Sequence, residues 1–395
     1  MPRVLQIVNR LNIGGVIYQP AYLTKYLQPE FETFLAVGTK EDSEASFDYF
    51  LKETGIEPLV ISEMSREIRP QNDWKSYGAM KRLIREIKPD IVHTHAAKAG
   101  AIGRAAAASC GVPAILHTFH GHYFHSYFSP LKTRFFLEIE RQLAKKTSAI
   151  ITVSHQNHEE ITGNYLKNFA EKTHLVEYGF ELEKFSTDQD LKNERFRAKW
   201  NIPMDCLTVV IVGRVVPIKN HGLFLRAFKQ FADRFGKPTR AIIVGDGDER
   251  PAMETLCQDL GLKYGQDGSS CDVIFTSWQK EIDEVLAGTD ILCLTSLNEG
   301  APVSLIEAQA ASCPIVATRA GGVPNVVEEG KTALLAPSND VDKVSSQIHR
   351  LASDSALRAQ MGAAGFEYVM DRFSVNRMVR EMREIYLSLL ERSVV

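Results

Sequence analysis

The sequence of 395 residues lacks several features that define whole classes of protein. Its six cysteines include no CxxC pair and lie scattered, most of them in or beside apolar runs. No segment approaches the roughly 18 consecutive apolar residues of a membrane-spanning helix, and the amino terminus carries no signal-peptide apolar stretch. We therefore expect reduced thiols in a cytoplasmic protein, with membrane contact restricted to the periphery.

An excess of charge of either sign is also missing. The 46 basic and 49 acidic residues give a formal net charge of −3, which argues against a general nucleic-acid-binding protein. No internal repeat or low-complexity segment stands out. The length predicts two or three domains of roughly 150 residues each.

Short β-branched runs alternate with helical patterns in both halves, which indicates βαβ units and parallel sheets. The polar stretch 186–199 is predicted to be a linker between the halves. We predict an α/β fold of two facing Rossmann-like, doubly wound domains, residues 1–180 and 181–372, with a final helix over residues 373–395. The first series of strands is predicted at Val4–Val8, Phe34–Val37, Leu59–Ile61, Ile91–Thr94, Ala114–Leu116 and Ile150–Val153. The second is predicted at Leu207–Val212, Ala241–Val244, Val273–Phe275, Ile291–Thr295, Ile315–Thr318 and Leu334–Ala336.

The stretch Asn298–Ala310 follows a predicted buried strand and opens a helix. Gly300 and Pro302 suit the turn, and Glu299 and Glu307 flank it. Because helical side chains tilt toward the N terminus, we expect Glu307 to point at the crevice that Glu299 borders. Helix N–H groups there suit a diphosphate, and the carboxylates suit sugar hydroxyls. The pattern indicates a nucleotide-sugar site; the alternative is two solvated glutamates.

Two cations occupy the loop after the first strand of the second series. Arg214 and Lys219 lie at a carboxyl end, where parallel sheets bind ligands. They would hold a diphosphate and stabilise the charge that develops on it as a leaving group. Surface solvation is the alternative, but the turn around Glu299 and Glu307 at the same sheet edge favours binding.

A pair of glycines, Gly14 and Gly15, joins the first strand to its helix and permits close approach of backbone N–H groups to a phosphate or sugar. The loop lacks the GxGxxG spacing, and no acidic residue ends the next strand. A dinucleotide site, and with it a Rossmann dehydrogenase, is therefore disfavoured.

Four histidines fall within the nine residues 117–125, after the fifth predicted strand. With no cysteine nearby, this placement favours a cleft loop over a zinc site. His120, beside Gly121, is predicted to face substrate. His93 and His95 end the fourth strand, where packing or hydrogen-bonding roles are expected.

Two Asp-x-Asp strings, at residues 188–190 and 246–248, are of a kind that holds Mg²⁺ or Mn²⁺ in some sugar transferases of a different fold. The second string follows a strand as a turn, and the first lies in the predicted linker. Since Arg214 and Lys219 make a metal dispensable, we predict turn chemistry for both strings and no metal.

In this order and spacing, the motifs resemble those of a family-4 retaining glycosyltransferase of the GT-B fold, and the similarity covers nearly the whole chain. The resemblance implies transfer of a hexose or N-acetylhexosamine from a nucleotide-sugar without cofactor or metal, with the anomeric configuration retained, and a final helix that packs back on the first domain. The matching pieces are Gly14-Gly15, residues 89–95, His120-Gly121, Gly213-Arg214 with Lys219, Gly245-Asp246-Gly247, the pair Glu299 and Glu307, and residues 320–324.

The resemblance also implies roles for individual residues. The first domain would contact the donor through its double glycine, and the second would hold the diphosphate, the ribose and the transferred sugar. The implied catalytic residues are His120, Arg214, Lys219 and Glu299. The implied donor-binding residues are Gly14, Gly15, Ser277, Trp278, Gly300, Ala301, Val303, Ser304 and Glu307.

The sequence departs from the family pattern in two places. Residues 16–19 lack the Glu that many relatives carry after the double glycine, and Tyr178-Gly179-Phe180 replaces an Asn-Gly at the interdomain connection. Retention without an obvious nucleophile suggests a same-face mechanism, in which the departing diphosphate helps to deprotonate the acceptor. A covalent intermediate on Glu299 is the rival.

The sequence gives little information about the acceptor. Aromatic and basic residues in the segment 128–146 would rest on an anionic lipid surface; alternatively Phe135, Phe136, Ile139 and Leu143 form an ordinary core face. By family analogy we expect a glycan or lipid-linked acceptor in bacterial surface polysaccharide assembly, with UDP as the favoured nucleotide. The alternatives are a UDP-sugar 2-epimerase of the same fold and a non-catalytic nucleotide-sugar-binding protein.

Overall fold

The computed structural model describes residues 1–9, 15–39, 51, 54–64, 69–121 and 130–393. Their contacts divide the chain into two units. The first unit contains Met1–Phe180 and Phe373–Val395, and the second contains Glu181–Arg372. Gly14 lies outside the described residues, as do His122, His125 and the beginning of the aromatic and basic segment.

The first unit is built on a seven-stranded parallel sheet in the order β3-β2-β1-β4-β5-β6-β7. Apart from Arg3 at the start of β1, its central strands are buried along their whole length, as expected for a parallel sheet with helices on both faces. The strand order reverses between β1 and β4, which makes this the switch point where such sheets bind ligands. The strands are β1 (Arg3–Val8), β2 (Glu32–Gly38), β3 (Leu59–Ile61), β4 (Ile91–His95), β5 (Ala114–Phe119), β6 (Ala149–Thr152) and β7 (Thr173–Leu175).

Alternate residues of β1 pack into different layers. Val4 and Val8 pack in one cluster with α1 and the final helix α13, and Leu5 and Ile7 pack in another with α2 and α3. This period of two is the expected consequence of the pleat. The described helices of this unit are α1 (Gly15–Tyr26), α2 (Pro70–Ile87), α3 (Ala97–Ser109), α4 (Pro130–Lys145), α5 (His155–Glu160) and α13 (Val375–Ser393).

The second unit has the same kind of sheet, in the order β10-β11-β9-β8-β12-β13-β14, with its switch point between β8 and β12. Its strands are β8 (Leu207–Val212), β9 (Thr239–Val244), β10 (Tyr264–Gly265), β11 (Val273–Ser277), β12 (Ile291–Leu294), β13 (Ile315–Thr318) and β14 (Ala333–Ala336). Its helices are α6 (Gln189–Lys199), α7 (His221–Phe235), α8 (Arg250–Asp259), α9 (Ile282–Ala287), α10 (Val303–Ala310), α11 (Val341–Ser353) and α12 (Ser355–Phe373).

The predicted α/β fold and all twelve predicted strands are confirmed, and no strand end is shifted by more than three residues. The short strands β7 and β10 were not predicted. The predicted polar linker is wrong, because α6 occupies residues 189–199 and buries Phe196 and Arg197, while most of its other residues are exposed or half-buried. Asp188 therefore immediately precedes a helix, and Asp190 lies in the first turn of that helix.

The final helix α13 belongs to the first unit. Its Tyr386 is completely buried and meets the ring of Phe31 edge-on at 5.9 Å. A bridge between Phe180 and Ser374, with the Phe180 N–H donating to the Phe373 carbonyl at 2.8 Å, ties the start of this helix to the end of the first segment.

Among the described residues, no helix combines the length and the apolar character that a membrane crossing requires. The placement of Phe135 in a core face is wrong, since 63% of its surface is exposed. Helix α4 instead buries Glu140 and Ala144.

Glu140 belongs to an ion pair inside the first unit. Arg104 Nη2 lies 2.6 Å from Glu140 Oε2, and both side chains are almost completely buried. Arg104 Nε also donates to the Gly100 carbonyl at 2.9 Å. The pair joins α3 to α4, and removal of Glu140 would leave the Arg104 guanidinium buried without this counterion.

We expect Glu140→Ala to lower the free energy of unfolding by about 3–5 kcal/mol, because the Arg104 guanidinium loses its counterion. The double variant Arg104→Met/Glu140→Leu should recover most of that loss. Urea unfolding would measure both. Glu138→Ala, on an exposed face of the same helix and 3.7 Å from Arg141, is the matched control and should stay within about 0.5 kcal/mol of wild type. An equal effect of Glu138→Ala and Glu140→Ala would contradict the prediction.

Candidate functional site

The loop after β8 carries both predicted cations at the carboxyl edge of the second sheet. Arg214 is exposed, and its guanidinium has no ion pair or hydrogen bond among the described residues. Lys219 ends a short 3₁₀ turn, Pro217–Lys219. The Thr295 hydroxyl fastens this turn to the end of β12 by donating to the carbonyls of Lys219 and Asn220, at 3.2 and 3.0 Å.

A second loop, Gly245-Asp246-Gly247, packs directly against the backbone that carries Arg214. The Val215 N–H donates to the Asp246 carbonyl at 3.0 Å. A Cβ atom on Gly245 would lie 2.1 Å from the Gly213 carbonyl oxygen, and its φ of +133° also favours glycine. Glycine here permits the close contact that sets the course of the Arg214 loop.

The carboxylate of Asp246 is engaged within its own turn, as predicted for this Asp-x-Asp string. It accepts from the Gly247 N–H at 2.9 Å, which is the main reason that its pKa is lowered, and it pairs with Arg250 at 2.9 Å. Among the described residues, no group of three His, Cys, Asp or Glu side chains is arranged to hold a metal.

Lys219 and Glu299 meet across the switch point of the second sheet. Lys219 Nζ lies 2.5 Å from Glu299 Oε1, and the Ser296 hydroxyl donates to the same oxygen at 2.5 Å. Both charged side chains are largely buried, so the pair is only partly screened by water. With Lys219 compensated by Glu299, Arg214 carries the uncompensated positive charge of these loops.

The loop that holds Glu299 is fixed by Gly321 and Gly322. The Gly322 N–H donates to the Glu299 carbonyl at 2.8 Å. A Cβ atom on Gly322 would lie 1.5 Å from the Gly300 carbonyl oxygen, and one on Gly321 would lie 2.2 Å from that of Glu299. Two residues without side chains therefore allow two loops of the sheet edge to touch through their backbones.

Helix α10 begins immediately after this loop. Its first N–H groups, at Val303 and Ser304, have no acceptor inside the helix, and the preceding residue, Pro302, provides no side-chain cap for them. Glu307 is half-buried one turn later. Burial raises its pKa to about 7; the Lys184 ammonium offsets part of this rise, and Asp283 adds to it.

Ser277 and Trp278 lie at the carboxyl end of β11. Ser277 has a left-handed φ of +54° and accepts a hydrogen bond from Arg250 Nη1 at 2.6 Å. Trp278 is 62% exposed. An exposed indole on a braced turn is able to stack on a planar ligand.

In the first unit, His120 lies half-buried after β5, and both of its ring nitrogens are engaged. Nε2 lies 2.9 Å from His95 Nδ1, and Nδ1 lies 2.9 Å from the Tyr178 hydroxyl. The hydrogen-bonding roles predicted for His93 and His95 are present. Gly15 begins helix α1.

Two family descriptions match this sequence, one in each part. The family described as "Glycosyl transferase 4-like domain" matches residues 26–179, and "Glycosyl transferases group 1" matches residues 192–368. The chain belongs to the group 1 glycosyltransferases. It is therefore an enzyme of the hexosyltransferase type, with the GT-B fold.

Individual proteins resemble this glycosyltransferase along most of its length. The UDP-Gal:alpha-D-GlcNAc-diphosphoundecaprenol alpha-1,3-galactosyltransferase of Escherichia coli is 28% identical over 85% of this chain and 84% of its own. A glycosyltransferase structure from Rickettsia africae has a TM-score of 0.80 at 19% identity, covering 98% of each chain. HepE of Anabaena, solved in complex with UDP, has a TM-score of 0.78 at 18% identity, covering 98% of this chain and all of its own.

Sequence reasoning missed two parts of the site in this glycosyltransferase. Ser296 binds Glu299, but one serine after a strand gives no signal of that contact. Gly321 and Gly322 were noted only as part of a motif, although an adjacent glycine pair at a strand end does indicate close backbone approach. The predicted roles of individual residues toward a donor stay predictions.

We expect Gly322→Ala to displace the Glu299 loop, because the new methyl group would overlap the Gly300 carbonyl. Unfolding free energy should fall by about 1–3 kcal/mol, and kcat/KM for a nucleotide-sugar should fall at least tenfold. Gly330→Ala is the control: its φ of +79° strains the new side chain, but no atom lies within 4 Å. It should lose stability while retaining turnover. Parallel loss of turnover in both variants would contradict the predicted role of Gly322.

Glu307 should make stability depend on pH. Because its folded pKa of about 7 lies above its ordinary value of 4.5, the unfolded chain releases this proton first as pH rises. The contribution of Glu307 to the free energy of unfolding is therefore fully present below pH 4.5 and is lost by about pH 7. Relative to Glu307→Gln, wild type should lose roughly 1–2 kcal/mol between pH 5 and 8, less than the full shift because the carboxylate is half-buried. Urea unfolding of both proteins measures this. The prediction would be refuted if the difference in unfolding free energy between wild type and Glu307→Gln were the same at pH 5 and at pH 8.

Proposed function

We propose that this glycosyltransferase moves a hexose or N-acetylhexosamine from a UDP-sugar to a hydroxyl of a glycan or lipid-linked acceptor. The anomeric configuration is retained, and no metal ion takes part. The observation that carries the proposal is the grouping of Arg214, the Lys219–Glu299 pair and the N terminus of α10 at one edge of the second sheet.

The charges of this group suit a nucleotide diphosphate. Arg214 offers an uncompensated guanidinium, which binds phosphate oxygens in bidentate fashion. Lys219 would exchange its contact with Glu299 for a phosphate oxygen, while Ser296 keeps the carboxylate in place. The N–H groups of Ala301, Val303 and Ser304, beside Gly300, add amide dipoles of the right sign.

Other groups near these charges suit the rest of a UDP-sugar. The half-buried Glu307 would accept hydrogen bonds from the ribose hydroxyls, which favour its charged form. Ser277 and the exposed Trp278 would border the base. The choice of UDP is supported by the donor named for the Escherichia coli relative and by the UDP in the HepE complex.

The chemistry follows from where charge develops. As the bond between sugar and diphosphate breaks, negative charge grows on the leaving group, and Arg214 and Lys219 stabilise it. The diphosphate then accepts the proton of the attacking hydroxyl on the same face, which retains the configuration. Glu299 has both hydrogen bonds on Oε1, so Oε2 is available to a hydroxyl of the transferred sugar. Gly15 and His120 of the first unit would also contact the donor.

A lipid-linked acceptor fits an exposed part of the first unit. Phe135 stands out from helix α4 with the exposed cations Lys132 and Arg134 beside it. Aromatic and basic side chains together favour peripheral contact with an anionic lipid surface. The acceptor named for the Escherichia coli relative is diphosphoundecaprenol-linked, which supports a role in surface polysaccharide assembly at the cytoplasmic face of the membrane.

Arg214→Ala should lower kcat/KM for UDP-sugars by about 10²–10³-fold, since one stabilising charge is removed from the transition state. Lys219→Ala should do the same and should also lose stability, because Glu299 stays behind without its counterion. Lys229→Ala is the control, as this lysine forms a 2.5 Å pair with Asp233 on the exposed side of α7. Unchanged release of UDP in both Arg214→Ala and Lys219→Ala would exclude the proposed donor site.

The product should carry the same anomeric configuration as the donor, and turnover should persist in excess EDTA. Proton NMR of the product formed from a UDP-sugar panel with a lipid-diphosphate acceptor measures the first point. An inverted product would exclude retention. Loss of activity in EDTA that only Mn²⁺ restores would exclude the metal-free reaction, and an epimeric UDP-sugar formed without acceptor would indicate an epimerase.

A further inference from the structure

An unbroken series of hydrogen-bonded side chains, the relay, crosses the switch point of the first unit. Its six heavy-atom distances lie between 2.6 and 2.9 Å. It joins strands β1, β4 and β5, the loop after β5, the end of the first segment and the final helix α13. In order, its members are Tyr178, His120, His95, Gln6, Tyr386, His93 and Thr118.

Gln6 sets the direction in which the hydrogen bonds of the relay are donated. Its Oε1 lies 2.8 Å from His95 Nε2, and its Nε2 lies 2.9 Å from Tyr386 Oη. Because a carbonyl oxygen only accepts, His95 carries its proton on Nε2 and accepts at Nδ1 from His120 Nε2–H. The Nδ1 atom of His120 is then an acceptor, and the Tyr178 hydroxyl donates to it.

The other arm has the same direction. Since Tyr386 accepts from the Gln6 amide, its own proton is free to go to His93 Nδ1, 2.6 Å away. His93 Nε2–H then donates to Thr118 Oγ1 at 2.7 Å. Both phenol hydroxyls thus donate to imidazole nitrogens, whereas the reverse direction would need a rotated Gln6 amide and imidazole N–H groups donating to phenols.

Burial keeps the side chains of the relay electrically neutral. It lowers the pKa of His93 and of His120 to about 3 and that of His95 well below its ordinary value, and it raises the pKa of Tyr178 and Tyr386. A neutral imidazole has one donor and one acceptor. Each of the three rings therefore uses both of its nitrogens within the relay.

Only one end of the relay reaches the surface. Gln6, His93, His95, Thr118 and Tyr386 are completely buried, whereas His120 and Tyr178 are half-buried. The His120 ring also stacks on Tyr178, with the centroids 5.7 Å apart and the planes 17° apart. The orientation and the proton position of His120 are therefore set from inside the protein.

We propose that Gln6, His95 and Tyr386 are positioning residues for His120, which they hold as the neutral Nε2–H tautomer with Nδ1 presented as a hydrogen-bond acceptor. A sugar hydroxyl would donate to Nδ1 in exchange for the Tyr178 hydroxyl. This step rests on the proposed function, in which His120 contacts the transferred sugar. The final helix thereby takes part in the reaction through Tyr386, without touching substrate.

Imidazole ¹⁵N spectra of the full chain test the relay without any substrate. His93, His95 and His120 should each appear as a neutral Nε2–H tautomer at pH 7. Tyr386→Phe removes one hydroxyl and should shift the ring signals of His95 and His120. Gln6→Met should do the same and provides a second variant if the first is unstable. A protonated or Nδ1–H ring at His120 in the wild type, or ring signals unmoved by both variants, would overturn the relay.

Thr94→Val is the matched control, because Thr94 lies between His93 and His95 on β4, is completely buried, and bonds only outside the relay, to His117 Nδ1 at 2.9 Å and to the Leu116 carbonyl. With each variant folded, Tyr386→Phe should reduce kcat for UDP release from UDP-sugars about tenfold, with KM little changed, and Thr94→Val should not. Equal rates in these two variants would overturn the positioning role. A wild type that turns over no UDP-sugar would contradict the proposed function, while the spectra still decide the relay.

Discussion

The ion pair between Lys219 and Glu299 depends on one property of the second sheet, the reversal of strand order between β8 and β12. The two residues are 80 positions apart in the chain, yet they lie on loops that leave neighbouring strands at the same edge. The next strand after β8 pairs on its other side, so no connection crosses the gap between the two loops. An open crevice lined by opposite charges is the result.

The same topological device organises the first unit with different chemistry. There the reversal lies between β1 and β4, and the residues that face each other are Gln6 and the histidines of β4. Buried charge is avoided: every imidazole is neutral and every polar atom of the relay has a partner, as low-dielectric surroundings require. One sheet edge therefore concentrates formal charges, and the other holds neutral donors and acceptors in fixed directions.

Much of this arrangement was predictable, because it follows from local patterns. Strands such as β8 are continuous apolar runs, and parallel strands bring their carboxyl ends to one edge, so the order of residues along the chain is enough to group Arg214, Lys219 and Glu299. Helix α6 could not be predicted in this way, since only Phe196 and Arg197 anchor an otherwise polar segment. Phe135 was misplaced for the opposite reason: its apolar character suggested burial, but its position on α4 leaves it exposed.

Contacts between residues far apart in the chain are beyond such reasoning. Gln6 and Tyr386 are separated by 380 positions, and no sequence pattern links the strand of one to the helix of the other. This separation also bears on biosynthesis. The second unit is continuous and can fold once it has left the ribosome, whereas the first must wait for α13, which is translated after the whole second unit. Until then the apolar surface that α13 covers is left open, and nascent chains would need protection from aggregation.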